Sequence, residues 1–562
     1  MWDTVARPAP EQAAAYRAAG WWRDETFLDD LARAAATRPG HPAVIAYEDG
    51  RLARTLSYAD LVTMVNRFAG ALADLGVGPG DVVMIHLPNR WMLGPLYLAT
   101  IRIGAVAAPA QLAMGAREIG HILTETRAKV CVTVGTFAGT DYTHRIRQVA
   151  PSTLEHLVVV GDPGLSGALG FDDSFVADQP HRQDGWPAPL GPDDPALLVY
   201  TSGTTGQPKG VVHSQNTIYA AGRSLSVPFG LTAADVISIP QLLTHVAGAM
   251  HGVYAPITLG ATSVMHDTTD DVGLMLDMVA EHQITYLHTS PARTSTLLAE
   301  QRARPRQTGS LRVMSASSAP IPPQMVTTAQ TLFGVPLCAC WGMTETGGCT
   351  VTRPDEDPPD WGACSDGCAM PWMQVRIDSE PGARVGRLLV RGASLCLGYL
   401  GQRRAFEACL DTDGWFDTGD LARDDGRGGI RICGRRTDLI TRASGDKVPT
   451  AETEAVLLRH PAVRDVVLVG CRDPRIPECD EVCAVVVPEG WPPTLESLRH
   501  HLEQEQVTAD SWPDRLEILP ELPKNALGKV LRTTVRQLIE APAADDRAIH
   551  DRAADPRPVQ PA

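Results

Sequence analysis

The chain contains the stretch Leu197-Leu198-Val199-Tyr200-Thr201-Ser202-Gly203-Thr204-Thr205-Gly206-Gln207-Pro208-Lys209-Gly210-Val211-Val212, which is its most specific sequence pattern. The glycines permit positive φ angles and a close approach of the backbone, so several amide N–H groups can converge on one anion. Hydroxyl side chains add hydrogen-bond donors, and Lys209 adds a point charge suited to phosphate. Because apolar residues flank the stretch on both sides, it predicts a phosphate-binding loop between two strands.

This loop differs from the Walker form, in which Gly-Lys is followed by Ser or Thr at the start of a helix. Here Lys209 is followed by Gly210 and two valines, which favour a strand. A flexible turn is the plain alternative, but a turn requires neither four hydroxyl groups nor a proline and a lysine in this order. The residues predicted to contact phosphate are Thr201, Ser202, Gly203, Thr204, Thr205, Gly206 and Lys209.

Three further segments follow the loop at wide separations. They are Trp341-Gly342-Met343-Thr344-Glu345-Thr346, Gly414-Trp415-Phe416-Asp417-Thr418-Gly419-Asp420 and Pro523-Lys524-Asn525-Ala526-Leu527-Gly528-Lys529. With the loop, they make the chain resemble the adenylate-forming superfamily, which comprises acyl-CoA synthetases, peptide-synthetase adenylation domains and luciferases. The resemblance extends from about Leu56 to Arg532. It implies an AMP-forming ligase that uses ATP and Mg²⁺ to activate a small-molecule acid.

The same resemblance implies a role for each charged residue of these segments. Glu345 is expected to hold Mg²⁺ near the phosphates, with Thr344 beside the α-phosphate. Asp420 is expected to accept hydrogen bonds from both ribose hydroxyls, and Arg435 to reach the ribose and phosphate side. Lys529 is expected between the substrate carboxylate and the α-phosphate. The alternatives are a solvated helix-edge residue for Glu345, an interdomain salt bridge for Arg435 and a basic surface loop around Lys529.

The adenine side of the site departs from the family pattern. Trp341 stands where the family usually has Tyr or Phe near adenine, and an indole can serve the same role, although it also fits a packed core position. The family's adenine-side segment usually reads Gly-Gly-Ala-Pro, whereas this chain has Ser317-Ser318-Ala319-Pro320. The added side chains are expected to narrow the floor of the nucleotide or acyl pocket. The nucleotide-binding residues predicted here are Ser318, Ala319, Pro320 and Trp341.

An acyl pocket is implied further along the chain. His245 begins a His-x-x-Gly pattern, and the resemblance implies that this residue gates the carboxylate entrance as part of the catalytic set. A lone histidine fits equally a hydrogen-bonded core residue. His251 is a second histidine of the same segment. Aliphatic and small neighbours favour an apolar acyl or aryl group; the expected lining is Val246, Gly248, Ala249 and Gly252, residues 315–320, and Gly342 and Gly347.

The overall composition is that of a globular enzyme. The chain has 562 residues, 44% of them hydrophobic and 21% charged, and a formal net charge of −16. That charge argues against nonspecific binding to nucleic acid. The N-terminus lacks the apolar run of a signal peptide and no stretch is typical of a membrane span, so we expect a cytoplasmic location. The twelve cysteines lack zinc-site spacing and are expected to be reduced thiols. The sequence is compatible with an oligomer.

Alternating patterns, such as a helical pattern over residues 58–75 followed by a strand pattern over residues 82–87, predict an α/β fold with layered parallel sheets in the N-terminal part. After Gly434 the pattern changes to short strands and amphipathic helices, typical of a smaller α+β unit. We therefore predict an N-terminal adenylation domain over residues 1–436 that binds ATP and the acid, and a mobile C-terminal lid domain over 437–540. Residues 541–562, which have few large apolar side chains, are expected to be a disordered tail.

The leading functional hypothesis is an acid:CoA ligase, with CoA as the thiol that receives the activated acyl group. Thr437 occupies the expected hinge, where the family usually has Asp or Lys, but a hinge need only absorb backbone rotation. The segment 442–448 weakens the case for CoA, because the resemblance places it beside the pantetheine channel and it is one residue longer than usual and reads Ser-Gly where many CoA ligases have Gly-Gly. One alternative is an adenylating enzyme that loads a carrier protein. Another is a ligase-like diazotase that activates nitrite for an arylamine. A nucleotide-binding protein without catalysis is the third.

Overall fold

The computed structural model shows a chain that forms two compact units, Met1–Ile432 and Cys433–Ala562. The predicted phosphate contacts Ser202, Gly203, Thr204, Thr205 and Gly206, the predicted catalytic Lys529 and the tail 541–562 lie outside the described residues. The structure describes residues 2, 5–164, 167–177, 186–201, 208–268, 270–354, 361–442, 447–448, 450–472, 480–524 and 530–540.

Two large sheets dominate the first unit, and the larger has nine strands among the described residues. Its central strands run parallel, as Tyr286–Thr289 does beside Val313–Ala316. These strands are buried along their length, as expected where helices cover both faces of a parallel sheet. In order across the sheet, the strands are Cys368–Ala369, Gly347–Val351, Leu337–Met343, Val313–Ala316, Tyr286–Thr289, Val236–Ser238, Thr262–His266, Pro42–Glu48 and Arg51–Ser57.

The second sheet has eight strands in the described part of the chain, and two of them flank the predicted phosphate-binding loop. Pro195–Thr201 and Lys209–Ser214 pair antiparallel, with Thr201 opposite Lys209. The loop thus joins two strands, as the apolar flanks predict. In order across the sheet, the strands are Gly398–Tyr399, Lys209–Ser214, Pro195–Thr201, Val106–Pro109, Val82–His86, Val130–Val134, His156–Val160 and Leu169–Gly170.

Helices cover these sheets, and several of them begin at residues whose side chains satisfy free backbone N–H groups. Ser57 and Asp60 form a capping box at the start of Tyr58–Asp74, which buries Leu61 and Val65 four residues apart. The other α-helices are Pro10–Ala18, Phe27–Thr37, Leu93–Arg102, Ala116–Thr126, Tyr142–Val149, Gln215–Ser226, Ala255–Leu259, Val272–His282, Pro291–Ala303, Pro323–Phe333, Trp361–Cys364 and Arg403–Glu407, and two π-helices span Asp172–Val176 and Gly248–Tyr254.

Smaller sheets complete the first unit. Thr136–Phe137 and Thr140–Asp141 form a short hairpin. Met373–Asp378 and Gly386–Gly392 pair antiparallel, and Gly386–Gly392 also pairs with Phe416–Asp424. The strand Ile430–Arg435 follows in the chain and spans the division between the two units.

The second unit has a three-stranded sheet in its described residues. Val463–Arg472 and Asp480–Pro488 pair antiparallel, and Arg515–Ile518 adds a parallel edge to Asp480–Pro488. Alternating valines on the first two strands form two apolar clusters, one on each face of the sheet. The remaining elements are the strands Ile440–Thr441 and Lys447–Val448, the α-helices Thr450–Leu457, Leu495–Gln504 and Arg532–Glu540, and the 3₁₀ turns Arg436–Asp438 and Ala509–Ser511.

These elements confirm the predicted α/β fold with a larger N-terminal and a smaller C-terminal domain. The predicted helix over residues 58–75 corresponds to Tyr58–Asp74, and the predicted strand over residues 82–87 corresponds to Val82–His86. The boundary after residue 436 and the roles given to the two domains stay predictions. Within the described ranges, no helix has both the length and the apolar character needed to cross a membrane.

Candidate active site

A carboxylate and an ammonium group meet on one tyrosine next to the phosphate-binding loop. The Tyr399 hydroxyl donates a hydrogen bond to Glu345 Oε1 at 2.8 Å. Lys209 Nζ lies 4.9 Å from the centre of the Tyr399 ring, within the range of a cation–π contact. Strand pairing explains the meeting, because Val211 stands opposite Tyr399 in the sheet that carries Lys209. The residues predicted to serve phosphate and Mg²⁺ therefore share a neighbour that the sequence did not reveal.

The Glu345 carboxylate is suited to a magnesium ion that arrives with a nucleotide. Glu345 is buried, and burial beside its charge raises the pKa of Tyr399 well above the ordinary range, which keeps the phenol as a donor. Among the described residues, no group of three or more His, Cys, Asp or Glu side chains could hold a metal. Mg²⁺ usually takes only one or two protein carboxylates and completes its shell with phosphates and water. Glu345 fits that pattern.

Thr344 is held by a histidine from the strand after the loop. His213 Nε2 donates to the Thr344 carbonyl oxygen at 2.8 Å, and Nδ1 lies 3.1 Å from Thr217 Oγ1. Burial lowers the pKa of His213 to about 4, partly offset by the bond to Thr344. The ring is therefore neutral at physiological pH, and its two hydrogen bonds fix the position of the Thr344 carbonyl group. A histidine directly after two buried valines of the strand Lys209–Ser214 was the one sequence signal for this role.

Trp341 and Asp420, which the resemblance places around the nucleoside, are in direct contact. Trp341 Nε1 donates to Asp420 Oδ2 at 3.0 Å, although 79 positions separate the two residues. Both side chains are buried. The Asp420 backbone N–H donates to Thr418 Oγ1 at 3.0 Å, and the Thr418 hydroxyl donates to the Leu388 carbonyl. The indole and the turn thus fix the carboxylate orientation.

Ser317 and Ser318 behave differently within the adenine-side segment. The Ser317 hydroxyl is hydrogen bonded to His288 Nε2 at 3.1 Å, so this added side chain is held by the protein. Ser318 is exposed and has a φ of +80°, in the left-handed region that favours glycine. Ala319 and Pro320 are exposed beside it. The backbone thus keeps a glycine-like conformation although the residue is serine.

Replacing Ser318 with glycine is expected to stabilise the protein. Glycine adopts the left-handed conformation without the steric cost that an L-residue has there. After the added freedom of glycine in the unfolded chain is deducted, the free energy of unfolding should rise by up to about 1 kcal/mol. In a protein of this size the thermal midpoint should rise by about 1–2 °C. Ser317→Gly is the matched control, and it should lower the midpoint because it removes the bond to His288. A lower thermal midpoint for Ser318→Gly would contradict the conclusion that the backbone of Ser318 is strained.

Two histidines mark the region predicted to hold the acid. His245 keeps some exposure to solvent but is surrounded by protein atoms, and this burial lowers its pKa to about 4. Its Nδ1 lies 3.4 Å from the Ala247 backbone nitrogen. His251 is buried on the π-helix Gly248–Tyr254, and its ring centre lies 6.4 Å from that of His288. Both imidazoles are therefore neutral at physiological pH.

Glycines let the backbone segments of this region approach closely. A Cβ at Gly248 would lie 2.1 Å from the Leu242 carbonyl oxygen, and one at Gly347 would lie 2.5 Å from Ala221 Cβ. Side chains are therefore excluded at both positions. Val246, Ala249 and Gly252 are also buried, as expected of an apolar wall. A cavity of about 300 Å³ lies beside the helix Gln215–Ser226, but its lining includes no residue predicted for the site.

Buried histidines, among them His213, His251 and His288, make the stability of the fold depend on pH. Burial lowers the pKa of His213 and His251 to about 4 and that of His288 to about 3. The unfolded chain binds these protons near pH 6.5, so stability falls as the pH drops below that value. Each ring should contribute on the order of 1 kcal/mol between about pH 7.5 and 5.5.

We expect the thermal midpoint, followed by far-ultraviolet circular dichroism, to fall across that range. Replacing the exposed His500 with glutamine should leave the slope unchanged, because that ring faces water in both states. A thermal midpoint that does not change with pH would contradict the conclusion that these imidazole rings are buried and neutral in the folded protein.

The other predicted site residues lie at or beyond the division of the chain. Arg435 ends the strand Ile430–Arg435 and is half-buried. Thr437 lies in the short 3₁₀ turn that follows. In the second unit, Arg532 forms an ion pair with Glu454 at 2.7 Å and lies 3.4 Å from Asp438, so its charge serves the fold of that unit. The structure brings the predicted residues together in two sets, Lys209 with Thr344 and Glu345, and Trp341 with Asp420. The roles of these residues stay predictions.

Comparison with known proteins shows the family of the chain. Residues 31–400 match the family model described as AMP-binding enzyme, and residues 452–529 match the model of the AMP-binding enzyme C-terminal domain. The chain is 32% identical to a salicyl-AMP ligase / salicyl-S-ArCP synthetase of Mycobacterium tuberculosis over 94% of this chain and 93% of that protein. It is 28% identical to the medium-chain fatty-acid–CoA ligase of Escherichia coli, with the same coverage of each.

Solved structures agree with this assignment. The apo structure of MbtA from Mycobacterium smegmatis superposes with a TM-score of 0.68 at 30% identity, covering 95% of this chain and 99% of that chain. The matched models account for both units, and the contacts around Glu345 and Asp420 lie within or next to the matched regions. The chain therefore belongs to the AMP-binding enzyme family and is an adenylate-forming ligase.

Proposed function

We propose that this protein is an ATP-dependent acid:CoA ligase that forms an acyl-adenylate and transfers the acyl group to the thiol of CoA. The observation that carries the first step is the meeting of Lys209 and Glu345 on Tyr399, beside the strands that frame the loop 202–207. An ammonium group and a carboxylate that both contact one tyrosine suit a magnesium-bound polyphosphate, since the ammonium attracts phosphate and the carboxylate attracts the cation.

The chemistry explains why these charges are needed together. A carboxylate is a poor electrophile, because it is anionic and its leaving group would be oxide. When its oxygen attacks the α-phosphorus of ATP, pyrophosphate leaves and the acid becomes a mixed anhydride with AMP as its leaving group. Mg²⁺, held by Glu345, supplies charge neutralisation at the phosphates when bound. Lys209 and Lys529 offset the remaining negative charge, and the loop amides and Thr344 orient the phosphates.

The nucleoside is proposed to bind between the adenine-side segment and the Trp341–Asp420 pair. Asp420 has one oxygen engaged by the indole, at 3.0 Å, and would accept from the ribose hydroxyls in the orientation that this bond fixes. Ser318, Ala319 and Pro320 would contact the adenine side, and Arg435 the ribose and phosphate side. His245 would stand at the carboxylate entrance as a neutral ring.

The acceptor of the acyl group is the second part of the proposal. The two relatives differ in it: one name gives salicyl and ArCP, the other a medium-chain fatty acid and CoA. The match to the medium-chain fatty-acid–CoA ligase, which covers 94% of this chain, supports CoA as the acceptor. In the proposed cycle, residues 437–540 rotate about Thr437 between the two steps, and the CoA thiol then attacks the acyl carbon of the adenylate and AMP leaves.

Pyrophosphate release, measured with ATP, Mg²⁺ and a panel of aliphatic and aryl acids, tests the first step. Mass spectrometry of the products with and without CoA tests the second, and an acyl-CoA product would support the ligase and identify its acid. Pyrophosphate without a thioester would favour a carrier protein as acceptor. Release only with nitrite, followed by a diazo product with an arylamine, would favour the diazotase. ATP binding without turnover of any acid would favour the non-catalytic alternative.

A further inference from the structure

We propose that Tyr200 and Glu125 are positioning residues for the phosphate end of ATP, because their hydrogen bond fixes the strand that carries Lys209. This inference rests on the proposed function, in which Lys209 offsets the negative charge of the polyphosphate. It gives Tyr200 and Glu125 no contact with the nucleotide and no part in the chemical step.

The Tyr200 phenol is bonded to a carboxylate from a neighbouring helix. Tyr200 Oη donates to Glu125 Oε2 at 2.6 Å, although 75 positions separate the two residues. Glu125 lies on the helix Ala116–Thr126, and Tyr200 is 2% exposed. Burial and the Glu125 charge raise the pKa of Tyr200 well above its ordinary range, so the phenol keeps its proton and remains a donor. Hydrogen bonds to an ionised acceptor are short and strong, so this bond holds the ring in one position.

This phenol lies across the residue that follows Lys209. Tyr200 stands opposite Gly210 in the antiparallel pair of strands that flanks the loop, and Thr201 stands opposite Lys209. A Cβ at Gly210 would lie 3.0 Å from Tyr200 Cζ and 3.1 Å from Tyr200 Oη. The ring therefore packs on the bare Cα of Gly210, and a side chain at that position would displace it. The position of the Tyr200 ring thus sets the position of the backbone beside Lys209.

Glu125 also reaches the segment that contacts the ammonium group of the loop lysine. That segment contains Tyr399, whose ring lies 4.9 Å from the lysine Nζ. A Cβ at Gly401 would lie 3.5 Å from Glu125 Oε1, so the carboxylate lies beside the residue two positions after Tyr399. Between them, the Leu400 backbone N–H donates to the Gly210 carbonyl at 2.8 Å. One carboxylate therefore lies against both the strand that leads into the loop and the segment that follows Tyr399.

These contacts should matter more for the polyphosphate than for the nucleoside. A displacement of about 1 Å in a group that binds substrate can cost a large factor in binding or rate. Tyr200 precedes Thr201 and faces the backbone next to Lys209, and both of these residues are proposed phosphate contacts. The proposed nucleoside contacts Trp341 and Asp420 lie on other strands, which do not flank the loop. Loss of the Tyr200–Glu125 bond should therefore weaken the binding of ATP and spare the binding of AMP.

Equilibrium binding of α,β-methylene-ATP with Mg²⁺ and of AMP, measured by isothermal titration calorimetry, tests this inference. Tyr200→Phe and Glu125→Ala should each raise the Kd of the ATP analogue about tenfold, as expected for the loss of one hydrogen bond to a charged group, and change the Kd of AMP by less than about twofold. Glu125→Gln keeps an oxygen acceptor for the phenol and should stay within about threefold of the wild-type Kd. The double variant should bind the analogue as well as either single variant, because both substitutions remove the same bond.

Tyr47→Phe is the matched control. The Tyr47 hydroxyl donates to Glu281 Oε2 at 2.8 Å and Tyr47 is 5% exposed, so the same kind of bond is lost. Its strand Pro42–Glu48 belongs to the larger sheet rather than to the sheet that flanks the loop. The substitution should lower the thermal midpoint about as much as Tyr200→Phe does and leave both Kd values unchanged.

An unchanged Kd of the analogue in Tyr200→Phe and Glu125→Ala would overturn the positioning role. An equal loss of affinity for the analogue and for AMP, or the same loss in Tyr47→Phe, would overturn it as well. No binding of the analogue to the wild-type protein would contradict the proposed function itself. The Glu125 side chain is 20% exposed, so Glu125→Ala removes the bond with little loss of packing and decides the inference even if Tyr200→Phe does not fold.

Discussion

Glu345→Gln is expected to lower the kcat of ATP-dependent pyrophosphate release by about two orders of magnitude. Glutamine keeps the shape of the side chain and still accepts the hydrogen bond of the Tyr399 hydroxyl, which lies 2.8 Å from Oε1 in the native protein. The substitution therefore removes the negative charge and little else. The variant should also need a higher Mg²⁺ concentration for half-maximal rate, because a neutral amide is a weak ligand of Mg²⁺.

A Mg²⁺ titration of the rate at saturating ATP is the measurement. Tyr399→Phe removes only the donor to Glu345 and should cost about tenfold, with a smaller change in the Mg²⁺ requirement. Glu407→Gln is the matched control, because Glu407 is an exposed carboxylate paired with Arg403 at 2.7 Å. A Glu345→Gln rate within about threefold of the native rate, at the same Mg²⁺ requirement, would contradict the role given to this residue.

Local patterns predicted the elements around this site. The apolar flanks of the loop indicated two strands, and those strands pair antiparallel with Thr201 opposite Lys209. The spacing of apolar residues likewise indicated the helix that the structure places at Tyr58–Asp74. Such features depend on neighbours a few residues apart, and the sequence contains that information directly.

Contacts between residues that are far apart in the chain could not be predicted from the sequence. Tyr399 reaches Glu345 because its two-residue strand pairs with Lys209–Ser214, and no local signal in Gly398-Tyr399 indicates that register. The left-handed φ of Ser318 was indicated only by the glycine that the family pattern has at this position, because a serine does not itself indicate that conformation. The resemblance placed Trp341 and Asp420 at one nucleoside, but only the fold shows that the indole N–H binds the carboxylate.

Lys529→Ala is expected to abolish adenylate formation while leaving thioester formation from supplied acyl-AMP largely intact. The resemblance places this lysine between the substrate carboxylate and the α-phosphate, so it acts in the first step alone. Removing a preorganised electrostatic donor of this kind commonly costs about 10²- to 10³-fold in rate. Pyrophosphate release with ATP and acid should report the loss. CoA consumption with synthetic acyl-AMP should report the second step.

Lys524 provides the matched control, because it is the other lysine of the segment Pro523-Lys524-Asn525-Ala526-Leu527-Gly528-Lys529. Its ammonium group forms an ion pair with Asp465, and its backbone pairs with Val530, so its charge serves the fold of the second unit. Lys524→Ala should therefore lower stability slightly and keep both half-reactions. Equal loss of both half-reactions in Lys529→Ala would contradict the proposed rotation about Thr437, because it would indicate that one conformation serves both steps. Loss of the first step alone would support a role of the lysine in adenylate formation only, as the proposed rotation requires.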